Sequence, residues 1–205
     1  MTSLSPQVRG ERLVKKVLEV VLEELARVGY GALSIEEVAL QAGVNKTTIY
    51  RRWPTKADLV QAACLELADE ISVSPDTGSL REDLLEMLRG FRAFLESARG
   101  QSLSRMVLAE GLDSEISRLA RAVRDAKDAA PKRVIARAIQ RGELPRGSDA
   151  DLILHTLTGA IQHKVMFLGE HLSDRQLAQL VDLVLLGATQ GGARRSVRPV
   201  RARQD

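Results

Sequence analysis

Residues 34–54 hold two short helical runs, separated by a glycine and closed by a proline, and this punctuation restricts the fold more than any other part of the chain. Ser34-Ile-Glu-Glu37 opens the first run as a capping box, the hydroxyl accepting from an N-terminal amide while the glutamate reaches back. Val38, Ala39 and Ala42 form its inner stripe, Gly43 ends it, and Val44 plugs the turn. Asn45 is a good N-cap for the second run, Asn45 to Trp53, which Pro54 closes. Thr55 caps a further helix, about 56–71, with Asp58 in its first turn. Upstream, Val14, Val17, Leu18, Val21, Leu25 and Val28 keep helical spacing until Gly29-Tyr30-Gly31 stops the helix. A helix, a tight turn with glycine and a second short helix make a helix-turn-helix, whose second member lies in the DNA major groove.

The composition of that second helix supports a polyanionic partner. Asn45 to Lys56 carries four basic side chains and no acid. Ile49 and Trp53, four apart, form one inward stripe, leaving Lys46, Thr47, Thr48, Tyr50, Arg51 and Arg52 on the remaining faces. Guanidinium groups and hydroxyls suit phosphates and base edges, Arg can fork onto guanine, and a threonine methyl can meet thymine. The helix starts at Ser34 and Thr55 offer free amides to phosphate oxygens. A short basic helix is also compatible with a merely solvated face, so the conjunction of turn, caps and acid-free surface carries the reading.

The stretch Leu33-Ser-Ile-Glu-Glu-Val-Ala-Leu-Gln-Ala-Gly-Val-Asn-Lys-Thr-Thr-Ile-Tyr-Arg-Arg-Trp-Pro-Thr-Lys-Ala-Asp-Leu-Val60 resembles the N-terminal domain of the TetR family of transcriptional repressors. The likeness rests on Gly-Val, then Tyr-x-x-aromatic, then Lys heading the fourth helix, and it covers about fifty residues from the first helix onward. It implies that Thr48 and Tyr50 sit at the DNA surface and that Lys56 binds phosphate. It also implies that Lys46, Thr47 and Arg52 lie at or near base-contacting positions, with Ser34 capping the second helix against the backbone. Trp53 stands where the family commonly has Phe and reads as core. Arg51 and Arg52 replace a common aromatic–His pair, so the base readout departs from the family pattern.

The remainder reads as helical, giving an all-α fold: an N-terminal three-helix helix-turn-helix DNA-binding domain (1–60) and a C-terminal helical ligand-binding and dimerisation domain (72–190). Ser72 to Gly78 is the linker. Ser79-Leu-Arg-Glu82 caps a helix to about Ala98, and helical stretches follow at about 101–110, 114–128 and 131–141, before a break at Arg141-Gly-Glu-Leu-Pro145. From Leu152 to Leu168 apolar residues spread around the helix axis, so more than one side needs cover. The last helix, after Ser173, repeats Leu177, Leu180, Val181, Val184, Leu185 and Ala188. Such a pair packs either wholly within its own domain or partly on a second copy as a four-helix interface. The resemblance favours the dimer, with Leu157, Ile161, Leu177, Leu180, Val181, Val184 and Leu185 as interface candidates.

The expected function is a homodimeric DNA-binding transcriptional regulator, a repressor on a palindromic double-stranded DNA operator, released when a small-molecule effector binds the C-terminal domain. Met87, Phe91, Phe94, Met106, His155, Thr158, His163 and Phe167 are the candidate pocket residues, although Met and aromatic side chains at helical spacing also serve as plain core. The competing expectation is a ligand-independent helical module that binds DNA or protein. Catalysis is not expected: Gly-x-Ser-x-Gly, a Walker loop and a dinucleotide fingerprint are all missing. His155, His163 and His171 are eight apart, which turns each by about 80° from the last and prevents convergence on a metal. No cofactor is expected.

Cysteine usage fits a cytoplasmic chain, and the charge split hints at an anionic partner near a terminus. The net +3 divides into +2 for residues 1–60, −3 for 61–190 and +4 for 191–205, an acidic body with basic ends. The single Cys64 rules out an internal disulfide and reads as core filler. The apolar run Leu152–His163 is too short to cross a bilayer, and no export leader opens the sequence. The tail 191–205 lacks an apolar period and reads as disordered, its five Arg either solvated or adding nonspecific DNA contact.

Overall fold

A computed structural model describes residues 6–71, 73–109 and 114–191; residues 192–205, which hold the Arg-rich tail apart from Gly191, lie outside it. The described chain is all-α. Its ten helices are α1 (Pro6–Ala32), α2 (Ile35–Ala42), α3 (Lys46–Arg52), α4 (Lys56–Ile71), α5 (Leu80–Glu96), α6 (Ala98–Ala109), α7 (Glu115–Lys127), α8 (Ala129–Arg141), α9 (Ala150–Gln162) and α10 (Asp174–Gly191).

Short-range chemistry sets the first four. Gly29 breaks α1 with a positive φ of 78°, and one further helical turn runs to Ala32 where the sequence suggested a stop. Ser34 Oγ accepts from the Glu37 amide at 3.4 Å. The second half of that capping box is replaced, because the Glu37 carboxylate accepts from Gln41 at 2.9 Å. Gly43 ends α2 in the left-handed region (φ 69°), its amide donating to the last turn. Asn45 Oδ1 accepts from the Thr47 amide at 2.9 Å to start α3. Thr55 and Asp58 cap α4 reciprocally, at 3.0 and 3.1 Å. Glu24, only 3% exposed, crosses from α1 to α2. Arg27 holds it with two hydrogen bonds (2.8 and 2.6 Å), and Gln41 adds a third at 3.0 Å. Arg27 outweighs the cost of burial and keeps this carboxyl below its ordinary range.

Two hydrophobic cores follow. The first joins Val21, Leu25, Val38, Ile49, Leu59 and their neighbours in α1–α4 to Leu103 of α6 and Ile116 of α7. The helix-turn-helix therefore shares its interior with two later helices, and Lys127 of α7 reinforces the junction with an ion pair to Asp69 of α4 (2.6 Å). Cys64 packs against this core, and burial pushes its thiol up to about 11, leaving it protonated and unreactive near neutrality. The second core gathers Leu84, Leu88, Val134, Ile135, Leu157, Ile161, Leu177 and Val181 from α5, α8, α9 and α10. Phe94 packs against both cores.

The linker between α4 and α5 is strapped to α8. Thr77 donates to buried Asp83 through its amide and its hydroxyl, both at 2.7 Å, and Arg141 reaches the same carboxylate at 3.4 Å. Arg137 donates to Ser74 Oγ (3.2 Å) and to the Pro75 carbonyl. Glu143, in the break after α8, accepts from the Leu80 amide at 2.7 Å and so caps α5.

The expected single helix over 152–168 is corrected near its end. After Gln162 the chain makes one wide turn, His163–Phe167, with the Leu168 amide donating five residues back to the His163 carbonyl at 3.2 Å. Val165 is buried by this turn, while Phe167 is 64% exposed.

Candidate nucleic-acid interface

The buried side of α3 is as narrow as its sequence predicts: Ile49 is in the core, and Trp53, the residue that ends the helix, packs against it. Lys46, Thr47, Tyr50, Arg51 and Arg52 are exposed, and Thr48 is half-buried on the flank nearest α1. Helix α3 therefore presents three cations, two hydroxyl groups and no carboxylate of its own. Such a face supplies fork donors and point charges to phosphates and to major-groove base edges.

Two features at its border were not foreseen. Glu36, in the first turn of α2, lies 3.8 Å from Lys46 and accepts from Ser34 Oγ at 3.2 Å. A hydrogen bond from its own amide, followed by the Ser34 hydroxyl, holds the Glu36 carboxyl below its ordinary range, so it is a full negative charge at neutral pH. The only sequence sign of this was a second acid inside the Ser34-Ile-Glu-Glu37 cap. Removing the charge should strengthen DNA binding. Glu36→Gln is expected to raise duplex affinity a few-fold at low salt and to steepen the salt dependence, since Lys46 is then freed to neutralise phosphate. Fluorescence anisotropy titrations at two salt concentrations check this, and unchanged affinity would place Glu36 away from the DNA.

Lys56 is the second feature. Its ammonium donates to the Tyr30 carbonyl at 2.9 Å and to the Gly31 carbonyl at 3.4 Å, and it stands 4.6 Å from the Tyr30 ring centre. In this structure Lys56 closes the end of α1, where unpaired carbonyls attract a cation. Ser34 is half-buried at the start of α2, within the same surface as Glu36 and Lys46.

The C-terminal candidates divide. Met87 is buried in the second core, Phe91 packs against it, and Met106 packs against the first. Thr158 is half-buried, its hydroxyl donating to the Leu154 carbonyl at 2.8 Å. His155, His163 and Phe167 lie on the outside of the chain, His163 stacked on Phe167 with ring centres 5.7 Å apart. Leu157, Ile161, Leu177 and Val181, expected at a dimer interface, are buried in the second core of the single chain. Leu180, Val184 and Leu185 remain half-buried on α10. The apolar residues that face outward are Leu152 (66% exposed) on α9 and Leu183 (69%) and Leu186 (57%) on α10.

An all-α chain that offers a basic, acid-free reading helix from a helix-turn-helix is a DNA-binding regulator. Residues 17–63 match the family described as bacterial regulatory proteins, tetR family, and residues 74–184 match the tetracyclin repressor-like C-terminal domain. The chain is 34% identical to the DNA-binding transcriptional repressor TetR of Mycobacteroides abscessus, over 91% of this chain and 98% of that one. It is 30% identical to the HTH-type transcriptional regulator AqdR of Rhodococcus erythropolis, over 88% and 87% respectively. Among solved structures, the TetR family transcription regulator SCO0332 superposes with a TM-score of 0.68 at 29% identity, over 85% of this chain and 97% of that one. The chain belongs to the TetR family of transcriptional regulators, DNA-binding proteins that are not enzymes. No described helix is long and apolar enough to cross a membrane.

Proposed function

We propose that this chain is a cytoplasmic homodimeric repressor that reads a palindromic operator with two copies of α3 and releases it when a small molecule enters the C-terminal domain. The observation that carries the dimer is the outward face of α9 and α10. Leu152, His155, Thr156, Gly159 and Ala160 follow one stripe of α9, and Leu183, Leu186 and Gly187 follow one of α10, all exposed. Large apolar side chains beside small ones leave a face that a second copy can approach closely, making a four-helix interface about a two-fold axis. The same axis supplies the second reading helix and hence two half-sites.

In this reading Lys46, Thr47, Tyr50, Arg51 and Arg52 contact DNA, with Thr48, Ser34 and Lys56 at the edge of the contact. Residues 1–60 act as the reader and 72–190 as the effector and dimer unit, although α6 and α7 also buttress the reader through the first core. Met87, Phe91, Phe94, Met106 and Thr158 are the residues we assign to the effector pocket. Effector binding acts through α4, which Asp69–Lys127 joins to α7 and the Ser74–Thr77 strap joins to α8. A ligand that prefers the geometry with badly spaced readers lowers operator affinity by its differential affinity for that state.

The test is binding to the DNA upstream of the chain's own gene at physiological salt. Affinity should exceed that for a scrambled duplex by about a thousandfold or more. Tyr50→Ala should cost about 1–3 kcal/mol on the upstream sequence, and Arg51→Gln should lower affinity on every sequence while reducing the salt slope by about one. Equal affinity for native and scrambled DNA would overturn the operator reading and leave a nonspecific DNA-binding module.

A further inference from the structure

Beside the reading helix lies a cleft of about 290 Å³ between α1 and α3. Its apolar wall is Leu13, Val14 and Val17 from α1, with Ile49 and Trp53 opposite. Gly10 and Thr48 complete the lining with Arg51 and Arg52, whose exposed side chains form its rim. We propose that this cleft is a small-molecule site, separate from the effector pocket proposed for the C-terminal domain, that takes an amphipathic organic anion: an acyl or aryl body on the apolar wall and a carboxylate on the two guanidinium groups.

Three observations converge on that class of ligand. The volume, just under the roughly 300–1,000 Å³ of ligand clefts, holds about ten water-sized groups, enough for a medium acyl chain. The solvent-exposed part of the wall is Leu13 (37% exposed) with half-buried Val14 and Trp53, while buried Val17 and Ile49 form its floor. Neither rim arginine is paired with a carboxylate among the described residues, and Arg52 instead lies 5.7 Å from the Trp53 ring centre. Two free guanidinium groups at the edge of an apolar trough match a molecule that is anionic at one end and greasy at the other.

Other occupants fit less well. Residues 1–9 contain Arg9 and no acidic side chain, so the chain's own start brings more positive charge to a positive rim. DNA phosphates satisfy the arginines but have nothing to place on Leu13, Val14 and Val17. The consequence is direct competition, because Arg51 and Arg52 cannot serve a bound carboxylate and a phosphate at once. Such a ligand releases DNA from the reader itself, with no signal through α4.

Trp53 is the only tryptophan of the chain and forms part of the wall, so its fluorescence reports occupancy of this cleft rather than of any other. The probe is ω-bromodecanoate, whose bromine quenches an indole only near contact, titrated into the full-length protein. Saturable quenching is expected, reversed by unbrominated decanoate, with ω-bromodecanol at least about tenfold weaker. The Arg51→Gln/Arg52→Gln double variant should bind the anion about tenfold more weakly, as for loss of a charge-assisted contact. Val14→Phe, which fills the trough, should abolish saturable quenching while circular dichroism shows the helices retained. The surface double variant alone decides the matter if Val14→Phe fails to fold. Mixed-sequence duplex should reverse the quenching; its failure to do so would overturn the competition. Non-saturating quenching, equal binding of acid and alcohol, or an unaffected double variant would each overturn the site. None of the quenching titrations depends on which operator the protein reads, so their outcome stands apart from the repressor assignment.

Discussion

A chain carrying Leu152→Glu and Leu183→Glu is expected to remain folded, to sediment as a monomer, and to lose operator affinity by about two orders of magnitude. The folded monomer should tolerate both changes because the native side chains are 66% and 69% exposed, and surface substitutions usually alter stability within about 0.5 kcal/mol. A two-fold interface changes that balance. Each new carboxylate would be desolvated against apolar surface with no cation to receive it, and every substitution appears twice. Operator affinity falls because one reading helix alone holds a half-site weakly. Joining two readers makes the second contact intramolecular, which adds about 10² to 10⁴ to the overall binding constant. Analytical ultracentrifugation and anisotropy on operators with one and two half-sites read both effects. The variant should bind the two duplexes with nearly the same affinity per half-site, whereas the parent should prefer the complete site. A variant that still sediments as a dimer would move the interface away from α9 and α10.

That prediction uses residues the sequence did not single out, and the reason is physical. Sequence reads well where structure is made by neighbours along the chain. Ser34, Gly43, Asn45 and Thr55 each act within four residues, so the boundaries of α2, α3 and α4 followed from capping chemistry alone. The rotation of α9 and α10 about their own axes is a different kind of fact. The run from Leu152 to Leu168 is apolar on several sides, and only packing on α5 decides that Leu157 and Ile161 go inward while Leu152 stays out. The same holds for Leu177 and Val181 against Leu183 and Leu186. The wide turn at His163–Phe167 replaces four-residue hydrogen bonds by a five-residue one, a change that leaves no mark in hydrophobic period. Contacts between distant residues were equally hidden. Lys56 meets carbonyls twenty-five and twenty-six positions earlier, and Arg141 meets Asp83 across fifty-eight. Nor does spacing reveal that Leu103 and Ile116 complete the core beneath the reading helix.

Asp83→Ala is expected to cost about 3 kcal/mol of stability and to flatten the acid side of the stability profile. The side chain is fully buried, so alanine leaves a small cavity and an unsatisfied Thr77 amide. Breaking a buried ion pair costs about 3–5 kcal/mol, and the lower end applies because Arg141 keeps Glu143 as a second partner at 2.5 Å. Burial by itself raises the Asp83 pKa, but the Thr77 amide and hydroxyl together with Arg141 outweigh it, and the carboxyl titrates below its ordinary value. A carboxyl lowered by folding stabilises the native state fully at pH above its unfolded value, about 4, and the benefit fades as pH falls through the lower native value. Urea unfolding from neutral pH downward should therefore show the parent losing stability below pH about 4, with a smaller loss in the alanine variant. Asp83→Asn should fall between them, since its carbonyl still accepts from Thr77 but carries no charge for Arg141. In the proposed release mechanism the strap is also the coupling, for Arg137 ties Ser74 to α8 and Thr77 ties the linker to Asp83 of α5 immediately after α4. With the strap loosened, motion of the C-terminal helices reaches α4 less directly. The asparagine variant should accordingly bind operator as the parent does in the absence of effector and require more effector to release it. Parent-like stability and acid sensitivity in the alanine variant would show that Thr77 and Arg141 gain nothing from the carboxylate, and the assignment of this strap as the link between α8 and the reader would fall with it.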